Sequence, residues 1–271
     1  MSDITELVDL HCHLVPAVDD GAPTVDAGVE ALTSFCDAGI RRVVTTPHLD
    51  GARVQGSRRR FIETAFQELA AAAASVLPDI RLELAYEVRI DDPEIDLSDR
   101  TLGLSDGGGL LVEFPQLALP AYSDRMLEVV VDQDWVPVLA HPERYAGIGL
   151  AYEWIERWRT LGAVMCLNVG SLFGEHGPEA ERVARRMLAS GQVDLIASDH
   201  HARPRRSTTL RRGWDLLTAG QSAETREAVR MLMVSNPLAI LSGSTLLPVP
   251  AIGSGGGWLD RVKRHLRGDW R

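Results

Sequence analysis

Seven short apolar runs punctuate the chain, at residues 7–10, 43–46, 80–88, 110–114, 136–140, 164–169 and 193–197, and their length and composition read as strands. Between most of them lie stretches whose apolar residues recur at helical spacing, at 24–37, 58–76, 124–132, 152–161, 178–189 and 223–234, several opened by proline or a capping residue. Repeated strand–helix alternation predicts an α/β fold built on a parallel sheet. Seven such units favour a distorted seven-stranded (β/α) barrel over an open doubly wound sheet. There is no sequence repeat of fixed period. The pattern predicts one domain over residues 1–248, a glycine-rich linker over 249–257 and a separate terminal segment over 258–271.

That terminal segment carries Trp258, Leu259, Val262, Leu266 and Trp270 at helical spacing, interleaved with Arg261, Lys263, Arg264, Arg267 and Arg271. Five basic against two acidic side chains leave +3. The expectation is an amphipathic helix that makes peripheral contact with an anionic membrane, with packing back onto the body or partial disorder as the alternatives.

Composition narrows the picture. A chain of 271 residues, 45% hydrophobic and 24% charged, is large enough to bury a core as one domain, with two as the alternative. Its formal charge of −10 argues against a nucleic-acid partner held by phosphate attraction. Cys12, Cys36 and Cys166 are too few and too scattered for a disulfide framework or a thiolate zinc site, and are expected to be buried thiols in a reducing cytoplasm. The start of the chain has no basic leader, and no run approaches the roughly 18 apolar residues of a spanning helix, which predicts a soluble cytoplasmic protein.

Candidate chemistry lies at the ends of the apolar runs. Asp9-Leu10-His11-Cys12-His13 follows the first, and alternate side chains of an extended segment point the same way, so His11 and His13 can reach one cation. His48 ends the second run, Glu87 the third, Glu113 the fourth and His141 the fifth, while Asp199 and His201 follow the seventh. In a barrel of parallel strands those ends converge on one face, which makes a shared metal site the natural reading.

The motifs DLHCHLVPAVDDG (9–21), TTPH (45–48), YEVRI (86–90), LVEFP (111–115), HPER (141–144), NVGS (168–171) and SDHH (198–201) together resemble the polymerase-and-histidinol-phosphatase (PHP) domain family. Within it they are most similar to the bacterial capsule and exopolysaccharide branch of manganese-dependent protein-tyrosine phosphatases. The resemblance implies a distorted seven-stranded barrel with a trinuclear centre at the C-terminal ends of the strands. His11, His13, Glu87 and Asp199 would hold the first metal. Glu87 would bridge to a second completed by Glu113 and His141, and His48, His201 and Asp19 would hold the third, with Asp20 as the alternative to Asp19. Imidazole and carboxylate ligands suit Mn²⁺, Fe²⁺ or Zn²⁺, and the family favours manganese.

Two cations sharing Glu87 would share a water and lower its pKa, giving a hydroxide for phosphomonoester hydrolysis. Arg144 resembles the family's phosphate-binding arginine, with an ion pair to Glu143 as the structural alternative. Arg203 would be the second phosphate arginine, although it stands closer to the SDHH motif than the family pattern; Arg205 or Arg206 are the alternatives. His200 is expected at the surface. A phenoxide leaving group, with a conjugate acid of pKa about 10, needs little general-acid help. Cys36 and Arg42 match the Cys-x5-Arg spacing of thiolate phosphatases in the wrong context, the cysteine ending a helix and the arginine starting a strand.

The function implied is a metal-dependent phosphotyrosine-protein phosphatase. Its implied partner is a membrane-associated tyrosine kinase of polysaccharide biosynthesis. The alternatives are a histidinol-phosphate or other small-molecule phosphatase, and a noncatalytic PHP interaction module.

Overall fold

A computed structural model describes residues 6–51, 54, 56–104, 107–203 and 209–253. The terminal segment 258–271, residues 254–257 of the expected linker, and Arg205 and Arg206 lie outside these residues. The α/β class is as the alternation predicts. Strands β1 (Leu7–Asp9), β2 (Ile40–Thr45) and β4 (Arg81–Leu84) form one sheet in the order β1-β2-β4. Strands β3 (His48–Asp50), β5 (Glu87–Arg89), β6 (Gly109–Glu113), β7 (Val136–Ala140), β8 (Val164–Asn168) and β9 (Leu195–Ala197) follow one another in a second. Every pairing is parallel.

Nine strand segments appear among the described residues where seven runs are expected, because two of the runs are interrupted. The β2/β4 register, Arg42 opposite Arg81, and the β3/β5 register, His48 opposite Glu87, share one offset. Across the interruption the Ala85 N–H donates to Thr45 O at 3.0 Å and the Glu87 N–H to Pro47 O at 3.2 Å. Pro47 has no N–H to give to a ladder, which explains why regular pairing lapses beside it. At the outer ends, the Asp199 N–H donates to His11 O at 2.7 Å and the His13 N–H to His200 O at 2.8 Å, with a parallel bridge between Cys12 and His200.

Along β1, β6, β7, β8 and β9 both faces are largely buried, as parallel sheets favour, whereas β4 is half-buried to exposed. Val8, Val44, Leu111, Val138, Val164 and Leu195 belong to one apolar cluster, and their neighbours Leu7, Val43, Leu110, Leu139, Met165 and Ile196 to another. The second cluster is covered by helices α1 (Val25–Asp37), α2 (Ser57–Val76), α3 (Ser123–Val131), α4 (Glu153–Thr160) and α5 (Pro178–Ala189). Ile240 and Leu241 join the first cluster.

Helix α6 (Leu210–Thr218) is absent from the sequence expectation. Gly213 breaks its pattern, yet a Cβ there would stand 2.3 Å from Val169 Cγ2, so the glycine is what lets the helix approach the turn after β8. The expected helix over 223–234 is α7 (Ala223–Arg230) passing into a π-helical turn, Met231–Ser235, and then α8 (Asn236–Ser242). Packing continues past residue 248: Ile252 is buried and its N–H donates to Leu188 O at 2.8 Å. No described helix is long and apolar enough to cross a membrane.

Candidate metal centre

His11 and His13 follow β1, Glu113 ends β6, His141 follows β7, and Asp199 and His201 follow β9, while His48 and Glu87 stand just past the ends of β2 and β4 as the first residues of β3 and β5. Parallel strands place those ends together, and the side chains meet. Glu87 Oε2, fully buried, stands 3.2 Å from His11 Nε2, 3.3 Å from His13 Nε2 and 3.0 Å from His48 Nδ1. Glu87 Oε1 stands 2.9 Å from His141 Nε2, and Glu113 Oε1 lies 3.1 Å from His48 Nδ1. Asp199 Oδ1 faces His11 Nε2, His13 Nε2 and His201 Nδ1 at 3.5, 3.4 and 3.4 Å. The backbone is strained at two of these positions: His141 has φ 37° and Asp199 φ 49°, left-handed values that non-glycine residues keep when their surroundings fix them.

The donor atoms form three overlapping groups: His11, His13 and Glu87; His48, Glu87 and Glu113; and His13, Asp20, His48 and His201. Asp20 Oδ1 lies 3.2 Å from His201 Nε2 and 3.6 Å from His48 Nε2. Asp19, the expected ligand, points elsewhere. Its Oδ2 takes His13 Nδ1 at 2.8 Å and the His48 N–H at 3.1 Å, and its Oδ1 takes the Gly21 N–H at 2.8 Å. It sits behind His13 and sets that ring's orientation, as carboxylates behind ligating histidines do.

The arrangement fits divalent cations. Glu87 Oε2 accepts no hydrogen bond of good geometry despite three imidazole nitrogens around it, and His11 Nε2 and His13 Nε2 face each other at 3.2 Å. Acceptor lone pairs converging on one buried space are what a cation requires. The electrostatics agree. Burial alone would lower the His13 pKa, but the Asp19 carboxylate holds it well above the imidazole range; burial likewise opposes charge on His48, and Glu87 raises it. Burial would raise Glu87 and Asp199, yet the surrounding histidines pull both below the carboxylate range. Asp19 is brought down to about 2, the His13 charge outweighing burial. The same field that retains protons on these rings attracts metal ions.

A cleft of about 430 Å³ opens over the cluster, lined by Asp20, His48, Glu113, His141, Arg144 and Asp199 together with Leu49, Asp50, Arg89, Gln116 and Leu117. Arg89, unassigned in the sequence, pairs with Asp50 at 2.9 Å and Asp91 at 3.2 Å. Arg144 pairs with Asp199 Oδ2 at 2.5 Å and leaves Glu143 to Ser171 and Asn168. Arg203, in the segment after β9, reaches the loop after β1, its Nε donating to Asp20 O at 2.6 Å and Gly21 O at 3.1 Å.

His200 corrects the surface expectation. Strand-like alternation turns it away from Asp199 and His201, and its ring packs edge-on against Phe35 with centroids 5.1 Å apart. Burial pushes its pKa down to about 4, which keeps it neutral. Cys12 and Cys166 are buried and Cys36 is partly so. Arg42 is paired with Glu83 at 2.9 Å, across β2 from β4, and forms no anion cradle with Cys36.

Fold and site define a parallel-stranded α/β protein with metal-capable donors gathered at its strand ends. Residues 7–242 match the family described as "Capsular polysaccharide synthesis, CpsB/CapC", and the chain belongs to that family. It is 30% identical over 203 residues to the tyrosine-protein phosphatase YwqE of Bacillus subtilis, covering 72% of this chain and 77% of that protein. It is 23% identical over 242 residues to the tyrosine-protein phosphatase CpsB of Streptococcus pneumoniae, covering 87% and 98%. Crystal structures of YwqE and CpsB, described as metal-dependent tyrosine phosphatases, share the fold with a TM-score of 0.76 at 24% identity, covering 91% of this chain and 100% of theirs. A phosphotriesterase from Mycobacterium tuberculosis matches more distantly, with a TM-score of 0.54 at 13% identity over 88% of this chain and 94% of that one.

Proposed function

We propose that the protein is a metal-dependent tyrosine-protein phosphatase acting on a phosphotyrosyl protein of capsule or exopolysaccharide synthesis, with manganese as the metal. The observation that carries this reading is Glu87: a buried carboxylate ringed by His11, His13, His48 and His141, beneath a cleft that Arg144 lines. The family and the names of the relatives support the substrate class.

In this reading the seven apolar runs are the seven strands of a distorted barrel, β2 with β3 and β4 with β5 each counting as one; their shared register offset supports it. The ligand set is His11, His13, Glu87 and Asp199, then Glu87, Glu113 and His141, then His48, His201 and Asp20, with Asp19 as the orienting carboxylate. Cations held there supply positive charge to phosphoryl oxygens and lower the pKa of water. The chain's own residues do the rest. Arg144 offers planar donors to the phosphoryl group, and Asp19 keeps His13 turned towards the centre. The leaving phenoxide needs little proton donation, so the neutral, inward-packed His200 is not required as an acid. The partner is a membrane-associated tyrosine kinase of polysaccharide synthesis, and the location is cytoplasmic, a reading supported by three cysteines without a disulfide.

The test is kcat/KM for a phosphotyrosyl peptide against histidinol phosphate, using chelated enzyme reconstituted with Mn²⁺. Preference for the peptide supports the proposal. Preference for histidinol phosphate moves the substrate to small phosphomonoesters, and inactivity on both with metal bound makes the chain a noncatalytic module.

A further inference from the structure

The two carboxylate oxygens of Asp199 have different surroundings. Oδ1 faces His11, His13 and His201, whereas Oδ2 receives Asn168 Nδ2 at 2.7 Å and Arg144 Nη1 at 2.5 Å. These two donors differ in how they are enclosed. Asn168, at the end of β8, is 2% exposed, and its own Oδ1 accepts the Gly170 N–H at 2.8 Å, which fixes the amide so that its NH₂ faces Asp199. Its backbone N–H donates to Glu143 Oε1 at 3.1 Å, and the Ser171 hydroxyl donates to the same oxygen at 2.6 Å. Asn168 is thus braced on both sides by buried partners.

Arg144 is the donor on the cleft side: it lines the cavity and retains 12% side-chain exposure. A guanidinium that turns to grip phosphoryl oxygens gives up its bond to Asp199. We propose that Asn168 is a positioning residue: its amide holds Asp199 in ligating orientation while Arg144 transfers from Asp199 to the substrate phosphate, so that phosphate binding does not loosen the metal centre. The inference rests on the phosphatase reading above, in which Arg144 binds phosphate and Asp199 binds metal.

The coupling between two ligands is reciprocal and measurable. Asn168→Asp is nearly isosteric and keeps the acceptor for the Gly170 N–H, but replaces the donor facing Asp199 Oδ2 by an oxygen. Mn²⁺ affinity is measured for the full chain by titration calorimetry, with and without saturating inorganic phosphate. In the unaltered protein phosphate leaves Mn²⁺ affinity unchanged or tightens it. In the variant, phosphate weakens Mn²⁺ binding by about tenfold or more relative to that behaviour, a loss on the scale of outer-shell ligand partners. The same ratio in both proteins overturns the proposal. So does a uniform loss of affinity indifferent to phosphate, which makes Asn168 a static brace. Asn168→Ser, which keeps a short oxygen cap but cannot reach Asp199, serves if the aspartate variant does not fold. An unaltered protein that binds neither Mn²⁺ nor phosphate is a different failure, that of the phosphatase reading itself.

Discussion

Asp19 Oδ2 stands 2.8 Å from His13 Nδ1, on the ring edge opposite the one whose Nε2 faces Glu87 at 3.3 Å. One carboxylate thereby sets the tautomer and aim of a ring whose other nitrogen points into the metal-capable cluster. Its neighbour Asp20 enters the cluster directly. Asp19→Ala is expected to weaken Mn²⁺ binding by roughly 10–100-fold while leaving the fold intact, and Asp19→Asn, which keeps an acceptor, to lose less. Metal titration of both variants checks this; equal affinity in Asp19→Ala removes Asp19 from the orienting role.

Gly21 makes this loop possible. A Cβ there would stand 2.3 Å from His13 O, 2.6 Å from His13 Cβ and 2.8 Å from Asp19 Oδ1. Gly21→Ala is expected to cost about 1–3 kcal/mol of stability, the range for forced overpacking, and to lower metal content at the same time. Urea denaturation with parallel metal analysis reads both effects.

Arg144→Ala is expected to lower kcat/KM for a phosphotyrosyl peptide by roughly 10²–10³-fold, the scale of losing one donor to a developing oxyanion. Inorganic phosphate inhibition should weaken with it. Metal content is expected to fall little, because Asn168 remains on Asp199 Oδ2. Steady-state kinetics with Mn²⁺-saturated enzyme make the comparison, and unchanged phosphate inhibition would take Arg144 out of the phosphate site.

The pH dependence follows from His13 and His48, both held above the ordinary imidazole range, and it differs between the metal-free and metal-loaded protein. A raised pKa contributes stability fully present below the unfolded value, about 6.5 for histidine, and lost as pH rises through the folded value. The chelated protein should therefore lose stability as pH rises from about 6.5 into the alkaline range. Metal must displace those same protons, so Mn²⁺ affinity should rise with pH over that interval, cancelling the decline in the Mn²⁺-loaded protein, and metal should be lost as pH falls. Thermal melts with and without chelator across the interval test both slopes.

How much of this was legible in the sequence varied with the kind of residue. The period-2 pair His11 and His13, and the positions of Glu87, Glu113, His141 and Asp199, could be read because metal-capable side chains at the ends of apolar runs are an unusual coincidence in a parallel-stranded fold. Asp19 and Asp20 could not be told apart, since a loop between strand and helix has no periodicity to assign direction. His200 was misplaced because its alternation with Asp199 and His201 continues a strand-like pairing with Cys12 that no local run of residues announces. Helix α6 was hidden by Gly213, whose use is a close approach to Val169 and not a break. Asn168 carries no charge and stood out only as part of a motif; its hold on Asp199 spans β8 to the loop after β9 and exists only in three dimensions. Arg203 is legible only through resemblance to the family's Arg-Pro step, at a spacing that departs from it, and the structure brings it to the backbone of Asp20 and Gly21.

The most direct test of the central claim is turnover of a phosphotyrosyl peptide by the chelated protein as Mn²⁺ is added back stepwise, with bound metal measured in the same samples. The account expects no appreciable turnover without metal and activity that rises with occupancy of the Glu87 centre. Full activity in chelated protein, or none at full metal occupancy, would contradict it.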